Sequence, residues 1–234
     1  MVAFVGFGGS RVLPPVFRPL VSACVRSVLA GGRGVSVGCA AGADAFVRSA
    51  AVSLGSRPAV FRASSFRGAR VAALALRSAA CVRFCAASGS GAGFVVFVSS
   101  PCPVGLRPAV SWVSGFGSGS WASAALAAGL GLPVVVFPLF PGCGAGAGVG
   151  LPPSWGRWVP AAASGCWSGG FRLVPWWVGV GGLPVGSRCP VRPGRSFPRR
   201  VVRPAVSRSG RPLPRPSFPA GSGWRWLGGP GGRG

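Results

Sequence analysis

The sequence predicts an α/β fold, a parallel sheet of about five strands flanked by helices. Three observations carry that prediction. Short apolar runs alternate with longer stretches of helical spacing over roughly the first 140 residues, and glycine-rich turns follow the runs. The strongest run, Gly93 to Val98, is apolar at every position after its glycine, as strands buried on both faces are. The resulting order, βαβαβαβαβ, implies right-handed crossovers between parallel strands.

Val2 to Val5 is the first expected strand and leads into the loop Gly6-Phe7-Gly8-Gly9-Ser10-Arg11. After Pro14-Pro15 a helix would place Val16, Leu20, Ala23, Cys24 and Val28 on one face and stop at Gly31-Gly32. Gly34 to Val37 reads as the second strand, and the small-residue loop Gly38 to Gly42 opens a helix running through Leu54. Pro58 to Arg62 is the third strand and Phe66 to Val82 an arginine-studded helix. Beyond the strand at Gly93 to Val98 come a Pro- and Gly-containing loop from Ser99 to Phe116, a helix from Ser118 to Ala128, and a last strand from Pro133 to Phe137.

From about Gly142 this periodicity ends. The chain divides into an α/β domain, residues 1–140, and a Pro/Gly/Arg/Trp-rich low-complexity tail, residues 141–234, expected to be disordered and basic. More than half of the arginines lie beyond residue 150.

With 234 residues, 49% of them hydrophobic, the chain can build a sizeable core; its net charge of +24 predicts attraction to polyanions. Arginine supplies every positive side chain, and Asp44 is the only carboxylate side chain. Apart from Met1 and Asp44 the chain uses ten amino acids, each with a codon free of adenine. An adenine-poor strand carries no stop codon, so a translated frame without selected function is one reading of the chain. The same bias makes Asp44 an acid retained for a reason.

The inventory excludes several chemistries. Without His, Lys, Glu or Tyr, neither a Ser-His-Asp triad nor a paired-carboxylate mechanism can exist, leaving Asp44 and eight thiols for acid–base work. The cysteines are thinly spread with no Cys-x-x-Cys pair, so no metal site and no resident cofactor are expected. Cys39 is either a small packed residue or a thiol activated by an arginine or a helix N-terminus. The start of the chain lacks the basic, then long apolar, pattern of a secretory signal, which points to a cytoplasmic protein with reduced thiols. Trp121 to Phe140 is apolar over a span's length, but Gly129, Gly131, Pro133 and Pro138 punctuate it as a helix-turn-strand would be, so no stable membrane insertion is expected. Nothing in the sequence fixes an oligomeric state.

In an open parallel sheet, ligands bind beyond the carboxyl ends of the strands. Three loops are expected there: Gly8-Gly9-Ser10-Arg11, Gly38 to Asp44, and Ser118-Gly119-Ser120. Their small residues let backbone N–H groups approach a phosphate, and the helices that follow favour negative charge. Asp44, in the first turn of its helix, could cap N–H groups, accept hydrogen bonds from a ribose, or orient Arg11. Arg77, on its helix, reads as a solvated surface charge or a phosphate ligand.

The runs Val5-Gly6 through Gly9-Ser10-Arg11, Val37 through Asp44, Arg77-Ser78, Phe94 to Val98, and Ser118-Gly119-Ser120 with Leu132 to Val136 together resemble the SLOG superfamily. This group of Rossmann-like domains includes DprA-like and YpsA-like proteins and the LOG phosphoribohydrolases, and the order and spacing are most similar to the first two. The resemblance covers residues 2 to 140 and implies a nucleotide-related ligand or nucleic acid held over the loops. By position, Gly9, Ser10 and Arg11 match the family's G-S-R loop and Gly42 and Asp44 its G-x-D turn. Ser118, Gly119 and Ser120 match its late S-G-S or G-G-T loop, and Arg77 the arginine of its R-N element. Ser78 replaces the usual Asn, the acid near the fourth strand is absent, and so is the Glu of LOG-type hydrolases, which weighs against catalysis more than against binding. The expected function is therefore binding of a nucleotide-like small molecule. The alternatives are single-stranded DNA binding and hydrolysis of a nucleotide N-glycosidic bond.

Overall fold

The computed structural model describes residues 2–140 and 150–175. Five parallel strands form in the expected order: β1 (Phe4–Gly9), β2 (Gly34–Gly38), β3 (Ala59–Phe61), β4 (Gly93–Val98) and β5 (Val134–Pro138). Between them run α1 (Arg18–Ala30), α2 (Ala43–Ser53), α3 (Arg70–Ala87) and α4 (Gly119–Gly129). Two more strands, β6 (Gly156–Pro160) and β7 (Phe171–Pro175), extend the sheet, giving the order β3-β2-β1-β4-β5-β7-β6 with β7 antiparallel to both of its neighbours.

The period of two along β4 decides the layering. Val95 and Phe97 point to one face, where Val5, Phe7, Val35 and Val37 meet Val21, Cys24, Val25 and Val28 of α1 and Val47 and Ala51 of α2. Phe94, Val96 and Val98 point to the other, against Ala79 and Val82 of α3 and Trp121, Ala125 and Leu126 of α4. A strand covered on both faces has no polar side to show, which is why its sequence is uninterruptedly apolar. The chain winds from β1 outward through β2 to β3, then returns to place β4 on the other side of β1. That reversal opens a crevice at the carboxyl ends of β1 and β4.

Three expectations need correction. In α1 the buried face is Val21, Cys24, Val25 and Val28; Val16 sits on a preceding 3-10 turn and is exposed. The helix begins at Arg18, two residues after Val16 where the Pro14-Pro15 signal places its start, because that turn takes up the first residues. The arginine-studded helix starts at Arg70, not Phe66, since Gly68 adopts a φ of +117° that a right-handed helix cannot continue through.

The third correction is larger: the domain does not end at residue 140, and the sheet has seven strands rather than five. Within the stretch read as tail, Phe171 and Leu173 are buried with Arg172 exposed between them, the alternation of a half-covered strand. Trp155 is fully buried and meets the Trp121 ring edge-on, centroids 5.8 Å apart. High Pro and Gly content masked a short hairpin whose aromatic residues complete the core over α4. The rest of the expected disordered tail, residues 176–234, and residues 141–149 lie outside the described residues.

Among the described residues no helix is long and apolar enough to cross a membrane. Trp121 to Phe140 folds instead as most of α4, a turn at Gly131, and β5.

Candidate functional site

The crevice between β1 and β4 is a cleft of about 560 Å³. Its floor is built where β1, β2 and β4 end, at Gly8, Gly9, Gly38 and Ser99. Ser10 and Arg11 continue one side, and Ser118, Gly119 and Ser120 at the start of α4 form another. Asp44 from α2 and Arg77 from α3 also line it. Of the ligand-binding residues expected from sequence, all but Gly42 therefore share one cleft: Gly8, Gly9, Ser10, Arg11, Gly38, Asp44, Arg77, Ser118, Gly119 and Ser120.

Gly42 is nearby but serves packing. Its φ of +71° requires glycine, and a Cβ there would run into the backbone of Ser10 and Arg11. This contact lets Ala43 N–H donate to the Ser10 carbonyl at 2.9 Å, while Ser10 N–H donates to the Phe97 carbonyl at 2.8 Å. The loops after β1 and β2 are thus fixed to each other and to β4. At the start of α4, Ser118 is the N-cap, its hydroxyl accepting from Trp121 N–H at 3.4 Å.

Asp44 is buried, and so is Arg77. Arg77 Nη1 donates to Asp44 Oδ2 at 2.6 Å, an ion pair between α3 and α2 across the cleft floor. The same carboxylate oxygen accepts from Ala40 N–H at 3.3 Å. Two expectations change accordingly. Arg77 is not a solvated surface charge, and Asp44 orients Arg77, not Arg11; its hydrogen bonds go outside its own helix, so it is not an N-cap. Burial pushes the Asp44 carboxyl above its ordinary range, while the Arg77 charge and hydrogen bond, the Ala40 N–H and the Arg48 charge pull it back.

Arg48 was not among the residues singled out. It donates from Nη1 to the carbonyls of Gly38 at 2.6 Å and Ala40 at 3.2 Å, tying the loop after β2 to α2. Its signal was available, since a base four residues after an acid lies on the same helix face.

Gly38 has a steric reason to be glycine. A Cβ at this position would overlap the Arg77 guanidinium and press on the Asp44 carboxylate. Gly38→Ala is expected to displace Arg77 and lower stability by about 1–3 kcal/mol, as overpacking does. Urea denaturation checks this; unchanged stability would mean that the guanidinium swings clear without loss.

The hydrogen-bonded thiols Cys81 and Cys85 are shifted oppositely, Cys81 up and Cys85 down. Cys39 lies outside the cleft lining, half-buried, with Sγ 3.2 Å from the Ala63 N–H that donates to it. Cys81 does line the cleft, but the hydrogen bond with Cys85 and burial push its thiol well up, holding it protonated. Ser36 Oγ lies 2.9 Å from Cys85 Sγ and 3.4 Å from Cys81 Sγ, closing a buried polar cluster beneath the floor. Among the described residues no group of cysteines and acids could hold a metal ion. The arrangement suits holding an anion by backbone N–H groups and Arg11.

The wall opposite α3 is the loop between β4 and α4, and it is anchored by the unforeseen hairpin region. Cys102 N–H donates to the Gly150 carbonyl at 2.9 Å, Trp155 Nε1 donates to the Leu106 carbonyl at 2.8 Å, and Arg107 Nη1 bonds Ser154 Oγ. Within the loop Ala109 N–H donates to the Ala125 carbonyl of α4 at 3.2 Å.

No family model and no curated protein matches the sequence. Among solved structures, the chain is similar to the X-ray structure of DNA processing protein A (DprA) from Streptococcus pneumoniae, with a TM-score of 0.40 and 17% identity. The match covers 58% of this chain and 50% of that one, so it spans about half the length of that protein.

Proposed function

We propose that this protein binds a nucleotide or nucleotide-derived ligand in the cleft between β1 and β4, without catalysing a reaction on it. One observation carries the reading. Three small-residue segments, Gly8 to Arg11 where β1 ends, Gly38 at the end of β2, and Ser118 to Ser120 at the start of α4, converge on a single cleft at the topological switch of a parallel sheet. Its volume of about 560 Å³ falls in the range of small-molecule sites. Catalysis is disfavoured by what lines it. The one carboxylate is held by Arg77, and the thiol that reaches the cleft is kept protonated. A glycosidic hydrolase would need Asp44 to act alone while bound to that arginine.

The second reading is single-stranded DNA, favoured by the net charge of +24 and by Arg11, which lines the cleft and is exposed. Salt separates the two. Titration calorimetry of the full chain with a nucleoside 5′-monophosphate is expected to show one site whose affinity changes less than about threefold between roughly 50 and 200 mM salt. A single-stranded oligonucleotide held through about six phosphates would lose about a few hundredfold over that range. Binding seen only with the oligonucleotide, and steeply weakened by salt, would overturn the preferred reading in favour of the second.

A further inference from the structure

The cleft has two chemically different halves. Its floor is glycine backbone, serine hydroxyls and the Asp44–Arg77 pair; its mouth is apolar. On one side of the mouth stand Val71 and Leu74 of α3, on the other Trp112, Val113 and Phe116 of the loop anchored by Trp155. Val71 is 80% exposed, and Trp112 and Phe116 are packed against the core yet only half-buried. An aromatic pair left partly open to water inside a cleft, facing an exposed aliphatic side chain, is apolar surface that the chain itself does not cover. Below it, Arg77 Nε is buried with no acceptor among the described residues, although Arg77 itself is only 8% exposed. A buried guanidinium donor left unmatched is costly.

Resting on the nucleotide-binding reading, we infer that the mouth seats the aromatic base, with Trp112 as the stacking residue, while the sugar-phosphate end lies on the glycine-rich floor. The wall carries no charged side chain, and the Ser78 hydroxyl donates to the Leu74 carbonyl of its own helix at 3.1 Å. Recognition of the base is chiefly by contact area and π-stacking, with the Ser114 hydroxyl the polar side chain between Trp112 and Phe116. Purines are preferred over pyrimidines.

The test compares three probes on the full chain: adenosine 5′-monophosphate, ribose 5-phosphate and inorganic phosphate. Wild type is expected to bind adenosine 5′-monophosphate at least about tenfold more tightly than ribose 5-phosphate, the scale of one stacked base. Trp112→Ala removes most of that preference and leaves ribose 5-phosphate affinity unchanged; Trp112→Phe, which keeps an aromatic face and guards against loss of the loop's packing, retains most of it. Equal affinity for the nucleotide and the sugar phosphate in wild type, or an equal loss of both in Trp112→Ala with Trp112→Phe no better, overturns the base-seating inference while nucleotide binding stands. If none of the three probes binds, the nucleotide-binding reading falls and this inference with it.

Discussion

Trp155→Ala is expected to lower the free energy of unfolding by about 3–5 kcal/mol, the range for deleting a large aromatic side chain from a packed core. Two losses combine. Trp155 is fully buried, with Trp121 edge-on at 5.8 Å and Trp158 tilted against it at 6.2 Å, so its removal leaves a cavity lined by rings that cannot collapse into it. The Leu106 carbonyl also loses the indole N–H that satisfies it at 2.8 Å, and an unmet buried acceptor costs about 1–3 kcal/mol by itself. Because these terms overlap, the lower figure sets the prediction. Equilibrium urea denaturation of the full chain measures it, and a loss under about 1 kcal/mol would show that residues 150–175 cover the sheet only loosely. A chain ending at residue 140 should fare worse, since β5 would then lose β7 from its hydrogen-bonded edge and Leu126 and Val136 their cover. The effect reaches the cleft as well. With Leu106 released, the loop bearing Trp112 and Phe116 loses an anchor, so nucleotide affinity should fall in Trp155→Ala although Trp155 does not line the site.

What sequence could and could not reveal follows from the range of the interactions involved. The strand Gly93 to Val98 is found at the expected residues because burial on both faces writes itself into a local run. The helix start at Ser118 and the three small-residue segments are equally local, and the fold assembles those segments at one place because parallel strands all end on the same side. The ion pair that buries Arg77 is not legible locally, because its partner is 33 residues away on another helix and no local rule links the two. The face of α1 shifted because two prolines mark where a helical segment can begin, not whether its first turn is 3-10 or α. The hairpin of β6 and β7 was hidden for another reason. Composition averaged over a Pro- and Gly-rich stretch outweighed the alternation at Phe171-Arg172-Leu173, which a window of strand length would have detected.

Asp44→Ala carries the other large effect, about 3–5 kcal/mol of lost stability, the cost of leaving one member of a buried ion pair uncompensated. Arg77 is 8% exposed, and among the described residues Asp44 is its one ion-pair partner. Without the carboxylate its guanidinium either stays buried and unpaired or forces its way out through the cleft, and both disrupt the floor. The pair as a whole is worth far less than this figure, because desolvating two charges offsets most of their attraction. Removing both charges tests that distinction. Asp44→Ala combined with Arg77→Met should recover most of the stability lost in Asp44→Ala alone, with a coupling energy of at least about 2 kcal/mol across the double-mutant cycle. Additive losses would mean that Asp44 acts chiefly through Ala40 N–H and the loop after β2 rather than through Arg77. Nucleotide binding discriminates further. If the pair only supports the floor, the restored double variant binds as wild type does; if the Arg77 side chain itself meets the ligand, the double variant folds yet binds weakly. A stable fold with weak binding would make the chain's one acid a positioning residue for its arginine, which explains why a sequence so poor in acids holds one at this turn.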